Sequence, residues 1–94
     1  MDKRFRPLPL HEQIALRKKA VDEVLAHPEW DFAQVVKQLR TTMRLTLPEM
    51  AKATKVSERT LKDIEAGRSL GTMASAHKIL AVAGLRLTVS KSLP

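Results

Sequence analysis

The segment that most constrains the fold is residues 45–67, LTLPEMAKATKVSERTLKDIEAG, because it contains two sets of signals for the start of a helix. The first is Thr46 followed by Glu49, the spacing of a capping box in which each side chain satisfies a backbone amide of the other residue. The second is Ser57, a residue favoured as an N-cap, and Gly67 then supplies a left-handed C-cap. The segment therefore predicts two short helices joined by a tight turn.

Apolar residues indicate which faces of these two helices pack inward. In the first helix, residues 47–54, Met50 is a core candidate and the small side chain of Ala51 permits a close helix approach. In the second helix, Leu61 and Ile64 are expected to face the core. Polar residues are then left on the outer face, namely Glu58, Arg59, Thr60, Lys62 and Asp63.

Two further helices precede this pair. The first covers residues 11–26 and stops before Pro28, which disfavours helical geometry in the residue ahead of it. The second starts at a capping box formed by Asp31 and Gln34 and ends near Met43. In the helix of residues 11–26, the apolar residues approximate one stripe that is expected to face the core, namely Ile14, Val21, Val24 and Leu25.

The C-terminal part of the chain predicts one more helix and then a strand. Thr72 is a favoured N-cap, and Gly84 closes the helix that follows it. Residues 85–90, LRLTVS, alternate between apolar and polar side chains, which is strand periodicity. The apolar residues of the last helix are Met73, Ala76, Ile79, Leu80 and Ala83.

Composition limits the classes of function. The 94 residues suffice for one small domain, and no cysteine is present for a disulfide or a thiolate metal site. The three histidines do not have the spacing of metal ligands, and neither a phosphate-binding glycine loop nor a cluster of catalytic residues is recognisable. We therefore expect that the protein binds no cofactor and no metal and is not an enzyme. No apolar run reaches membrane-spanning length, which predicts a cytoplasmic protein without a membrane partner. A formal charge of +7 favours a polyanionic partner. The 3% aromatic content argues against a protein that binds single-stranded nucleic acid by stacking its bases on aromatic side chains.

Residues 45–69 resemble the helix-turn-helix of the Xre/Cro/lambda-type repressor family, whose pattern is approximately L-T-Q-x-x-L-A-x-x-x-G-V-S-x-x-T-I-x-x-I-E-x-G. The similarity extends over about residues 32–84. It implies a mainly α, lambda-repressor-like helix-turn-helix bundle, here with an additional N-terminal helix. The matching positions are Leu45, Thr46, Met50, Ala51, Val56, Ser57, Thr60, Leu61, Ile64, Glu65 and Gly67.

The resemblance implies that residues 57–66 enter the major groove of double-stranded DNA. Arg40 and Glu65 fall where many members form an ion pair, although they could also be independent surface charges. The implied base-reading residues are Glu58, Arg59 and Asp63, with the alternative that the two acidic residues only orient Arg59. The implied contacts to the DNA backbone or groove edge are Arg44, Thr46, Lys52, Lys55, Ser57, Thr60, Lys62 and Arg68.

Three departures from the family pattern have physical consequences. Leu47 replaces the usual glutamine, so one contact to DNA is expected to be missing there. Lys55 and Arg44 replace glycines common at left-handed turn positions, at a cost of about 1 kcal/mol each. Both substitutions add positive charge near the expected phosphates, which offsets part of that cost.

The terminal strand predicts a homodimer. A lone strand cannot satisfy its own backbone groups, so we expect two copies to pair residues 85–90 through the face of Leu85, Leu87 and Val89. The alternative is a strand packed only on its own subunit. A dimer places two recognition helices about 34 Å apart and predicts a palindromic operator. The domain plan is then a flexible basic arm (1–9), an additional helix (10–30), the DNA-binding domain (31–84) and the strand with a short tail (85–94).

Two functions are compatible with this plan. The first is a dimeric transcriptional repressor, with its own promoter as the expected target. The second follows from the ending AGLRLTVS, which is similar to HipB-like antitoxins. In that alternative the main role is to bind and neutralise a toxin protein, such as a HipA-like kinase, and DNA binding serves autoregulation.

Overall fold

The computed structural model describes residues 8–89, so most of the predicted basic arm and the tail from residue 90 onward lie outside it. The described part is a compact, mainly helical bundle. Its five α-helices are α1 (Leu10–Ala26), α2 (Phe32–Thr42), α3 (Leu47–Thr54), α4 (Glu58–Glu65) and α5 (Met73–Val82). None of the helices between residues 8 and 89 has both the length and the apolar character needed to cross a bilayer.

Four of the helices begin at the predicted caps. The Asp31 carboxylate accepts a hydrogen bond from the Gln34 backbone amide at 2.8 Å. The Gln34 side chain accepts one from the Asp31 backbone amide, which completes the first capping box. Thr46 and Glu49 form the second box in the same way. Ser57 and Thr72 each accept a backbone amide from the third residue after the cap, at 3.1 and 3.0 Å. These side chains satisfy amides that have no partner inside the helix and so fix where α2 to α5 start.

Helix α1 differs from the other helices and corrects one prediction. Its N-cap, Pro9, makes no side-chain capping bond. The expected stripe does not face the core along its whole length, since Ile14 is 59% exposed and Leu25 is 66% exposed. The one fully buried residue of α1 is Ala20. Helix α1 packs on α2 through its C-terminal half, and which side faces α2 is not set by the spacing of apolar residues alone.

The core consists of two apolar clusters. The first joins α2, α3, α4 and α5, and its buried members are Val36, Met50, Val56, Leu61, Ile64 and Ile79. The second joins α1, α2 and α5, and its buried members are Ala20, Leu39, Leu80 and Ala83. Phe32 packs against both clusters.

Between residues 8 and 89, two non-glycine residues adopt left-handed backbone conformations, as predicted. Arg44 before α3 has φ 59°, and Lys55 after α3 has φ 61°. Such values cost free energy in residues with a Cβ atom, so both ends of α3 lie in strained turns. The predicted glycine caps at Gly67 and Gly84 also have positive φ, at 77° and 75°.

The C-terminal segment forms no strand within the described residues, which end at Val89. Leu85 is half-buried against the second cluster of its own chain, and its amide bonds to the Leu80 carbonyl at 2.9 Å. Leu85 therefore already packs on its own chain. Leu87 and Val89 are 43% and 96% exposed. Because one copy offers this segment no partner strand, its pairing across a dimer stays a prediction.

Among the five apolar residues named for the last helix, Met73 differs in its burial. Its residue is 80% exposed, whereas Ile79, further along α5, is fully buried. Met73 is the first residue of α5 and precedes the part of the helix that contacts the two clusters. Helical spacing is therefore necessary for burial here but not sufficient.

Candidate nucleic-acid interface

Helix α4 is held from one side only. Leu61 and Ile64 are fully buried in the first cluster, together with Met50 of α3. Val56 in the connecting turn is 5% exposed, and Ala51 packs against the same cluster. Apolar contacts therefore fix the inner face of α4 against α3, and the outer face is left to solvent.

Thr54, in the last turn of α3, stabilises the turn between the two helices. It is 3% exposed, the one buried polar residue in the described part of the chain. Its hydroxyl donates to the Met50 carbonyl at 2.8 Å and accepts the Val56 amide at 3.2 Å. A buried amide without a partner is costly, so this bond stabilises the tight turn. The sequence analysis missed this role, although the i, i+3 and i+7 spacing of Leu47, Met50 and Thr54 was a usable signal.

The start of α4 is fixed by its own side chains. The Ser57 hydroxyl accepts the Thr60 amide as the N-cap and donates to the Thr60 hydroxyl at 2.8 Å. Both residues are predicted contacts to the DNA backbone or groove edge. Their mutual bonds order the first turn of α4, and the exposed Ser57 remains accessible to solvent.

The outer face of α4 is charged and solvent-exposed. Glu58, Arg59 and Lys62 are all exposed. Among residues 8–89, Arg59 has no hydrogen-bond or ion-pair partner. Neither acidic residue bonds to Arg59 in the described part of the chain, so its guanidinium is available to a ligand.

Asp63, the third predicted base reader, is already paired. Its Oδ1 accepts hydrogen bonds from Nε and Nη2 of Arg68 at 3.1 and 2.9 Å. The Asp63 side chain is 34% exposed and that of Arg68 is 60% exposed. The sequence analysis placed these residues in two separate roles, whereas the structure brings them together.

The predicted ion pair between Arg40 and Glu65 is present and links α2 to the end of α4. Arg40 Nε and Nη2 donate to the two carboxylate oxygens of Glu65 at 2.7 and 2.9 Å, and Nη1 donates to the Leu45 carbonyl at 3.0 Å. The side chains are only 18% and 10% exposed. Hydrogen bonding to Glu65 raises the pKa of the Arg40 guanidinium above its ordinary value, against the effect of burial. The group therefore stays charged, and the pair fixes the orientation of α4.

Further cations lie on α3 and on the turns that flank it. Arg44, Lys52 and Lys55 are exposed, whereas Thr46 is half-buried and engaged in its capping box. Leu47 packs against the first cluster, so it serves the core at the position where the family pattern has a glutamine. The predicted DNA contacts include six cationic and two anionic side chains, and exposed Glu49 on α3 adds a third negative charge, so this surface has a formal excess of three positive charges. Such an excess favours a polyanionic ligand at this surface.

No metal site is apparent in the described part of the chain, where no group of three or more histidine, aspartate and glutamate side chains converges. No family model matches this chain, and comparisons with curated proteins and with solved structures also find no match. The case for a function therefore depends on the geometry and charge of the surface formed by α3 and α4.

Proposed function

We propose that this chain is a sequence-specific regulator that binds double-stranded DNA. In this proposal α3 and α4 form a lambda-repressor-like helix-turn-helix, and α4 enters the major groove. The observation that carries the proposal is the state of α4, whose inner face is anchored by buried Leu61 and Ile64 while Arg59 on the outer face has no described partner. An anchored helix with a cationic side chain that has no described intramolecular partner is suited to the negative potential of a DNA groove.

Arg59 is the leading candidate for base recognition. It lies in the first turn of α4, and side chains near the N-terminus of a recognition helix reach base edges. A guanidinium donates two hydrogen bonds in a fixed fork, which matches O6 and N7 of guanine. Glu58 precedes it on the same exposed turn and supplies an acceptor suited to the amino group of cytosine.

The flanking cations supply affinity rather than specificity. Arg44, Lys52, Lys55 and Lys62 are exposed around the same helix pair. Contacts from such side chains to phosphates release counterions, so binding weakens steeply as salt concentration rises. A binding constant that does not change with salt would contradict the proposal.

The test is to sequence the duplexes that the purified protein retains from a random pool, and then to compare variants on them. Arg59→Ala is expected to weaken binding to the selected sequence by about 1–3 kcal/mol and to relax the preference at one position. Arg17→Ala is the matched control, because Arg17 is exposed on α1, outside α3, α4 and the segment proposed for dimerisation. Equal behaviour of the two variants would remove Arg59 from base recognition.

The proposal includes a homodimer that acts as a repressor at a palindromic operator. Exposed Leu87 and Val89 support pairing of the C-terminal segments across a two-fold axis. Leu87→Lys is then expected to yield monomers in sedimentation velocity, because a charge would be buried at the interface. An unchanged sedimentation coefficient would exclude this segment from dimerisation.

A second candidate function is that of an antitoxin which binds and neutralises a toxin protein. The observation in its favour is the set of exposed apolar residues on α1, where Leu10, Ile14 and Leu25 are 70%, 59% and 66% exposed. Leu10 and Ile14 are one turn apart on α1, and adjacent exposed apolar groups are typical of protein-binding surfaces. Co-purification with the product of a neighbouring gene, abolished by Ile14→Asp, would support this candidate.

A further inference from the structure

Arg68 is attached to Asp63 at two points. The Arg68 backbone amide donates to the Asp63 carbonyl at 2.9 Å, and the Gly67 amide donates to the Ile64 carbonyl at 3.0 Å. These two bonds are the Schellman motif, which the left-handed Gly67 permits. The Arg68 side chain then folds back to the Asp63 carboxylate. Backbone and side chain together fix the guanidinium beside the C-terminal end of α4.

The geometry of this pair leaves one edge of the guanidinium free. Arg68 uses Nε and one N–H of Nη2 on a single oxygen of Asp63. A guanidinium has five N–H donors, so about three remain, on Nη1 and on the outer side of Nη2. That end-on edge is the fork that binds phosphate through two parallel hydrogen bonds. The side chain is 60% exposed, so the fork is accessible from solvent.

We propose that Asp63 is a positioning residue that holds Arg68 for contact with a DNA phosphate, and that Asp63 does not itself read a base. This inference rests on the proposed function. One observation favours a phosphate over a base edge as the ligand. Arg68 follows α4 instead of lying in its first turn, whereas base edges are reached from the N-terminal part of a recognition helix. The Asp63 carboxylate would repel DNA on its own, and its pairing with Arg68 removes that penalty.

The inference is tested by a double-mutant cycle on DNA binding. Four proteins are compared, namely the wild-type chain, Asp63→Asn, Arg68→Ala and the double variant. Their affinities are measured on duplexes selected by the wild-type chain and on unselected duplexes, at several salt concentrations. Urea unfolding of each protein verifies that the fold is retained. Lys52→Ala replaces Arg68→Ala in a control cycle, because Lys52 is an exposed cation on another helix.

The expected results separate positioning from a general charge effect. Loss of one negative charge changes affinity by the same factor with and without Arg68, so this effect cancels in the cycle. The remaining coupling between Asp63 and Arg68 is expected to be about two- to fivefold in affinity, and the Lys52 cycle is expected to show none. Arg68→Ala is expected to weaken binding to all sequences alike and to lower the salt slope by about one.

Three outcomes would overturn the inference. A base preference that changes in Asp63→Asn, whether or not Arg68 is present, would show that Asp63 reads a base directly. A changed preference for guanine in Arg68→Ala would reject the phosphate contact. Absence of coupling, with wild-type binding intact, would reject the positioning role alone. If the wild-type chain bound no duplex at any salt concentration, the proposed function would fail together with the inference.

Discussion

Helices α3 and α4 have eight residues each, and α1 has 17, yet the two short helices are the better anchored. Each short helix has a side-chain N-cap and two fully or nearly buried residues, whereas α1 has no side-chain cap and one buried residue. Isolated helices of eight residues are unstable in water. Caps and tertiary contacts, not length, therefore determine which part of this molecule is rigid.

The two regions also expose different chemistry. The surface of α3 and α4 presents charged side chains such as Arg59 and Lys62 over a fully packed interior. Helix α1 instead presents apolar side chains such as Leu10 and Ile14. A charged outer face on a rigid support suits a polyanion, and exposed apolar side chains on a less anchored helix suit a protein partner. The two candidate functions thus correspond to two separate regions of the chain.

The largest expected effect comes from the same substitution made in each region. Leu61→Ala removes a fully buried side chain from the first cluster and is expected to lower the free energy of unfolding by about 3 kcal/mol. Leu25→Ala on α1 removes a side chain that is 66% exposed, with an expected change within about 0.5 kcal/mol. Urea unfolding measures both. Similar losses would mean that α1 is anchored as firmly as α4.

A smaller effect on stability is expected from loss of the ion pairs and hydrogen bonds between helices. Arg40→Ala leaves the Glu65 carboxylate, 10% exposed, without its ion-pair partner and is expected to cost about 2 kcal/mol. The matched change in the other region is Glu23→Ala, since half-buried Glu23 accepts hydrogen bonds from Gln38 and Thr42 of α2. Its expected cost is about 0.5–1 kcal/mol. Thermal unfolding at matched pH measures the stability of both variants. A larger loss of stability in Glu23→Ala than in Arg40→Ala would contradict the expected difference between the two regions.

The smallest expected effect is a gain in stability. Lys55→Gly relieves the left-handed strain at φ 61° and is expected to raise the free energy of unfolding by about 0.5–1 kcal/mol. Lys55→Ala is the control, because it removes the same charge but keeps a Cβ atom and hence the strain. If Lys55 also contacts a phosphate, both variants should lose DNA affinity equally while only the glycine variant gains stability. Equal stability of the two would show that the turn is unstrained.

Sequence analysis succeeded where the determining interactions are local. The starts of α2 to α5 follow from side chains that bond to amides three residues away, so Asp31, Thr46, Ser57 and Thr72 were sufficient signals. The left-handed turns and the Arg40–Glu65 ion pair were expected from the family resemblance, not from the residues alone.

The sequence-based predictions were wrong where neighbours decide the outcome. Ile14 and Leu25 have helical spacing, but α2 covers the adjacent side of α1, where Ala20 lies. The pairing of Asp63 with Arg68 depends on the C-terminal cap of α4 and on side-chain rotamers, which residue spacing does not report. Asp63 and Leu85 each have a partner within their own chain, which residue spacing did not indicate.

Phe32 is the aromatic ring shared by both apolar clusters. Its ring adds to a link that α2 and α5 already make, since each of these helices contributes buried residues to both clusters. We therefore expect a single cooperative melting transition. With that ring truncated, both clusters lose a contact, so calorimetry should show one transition at a lower temperature.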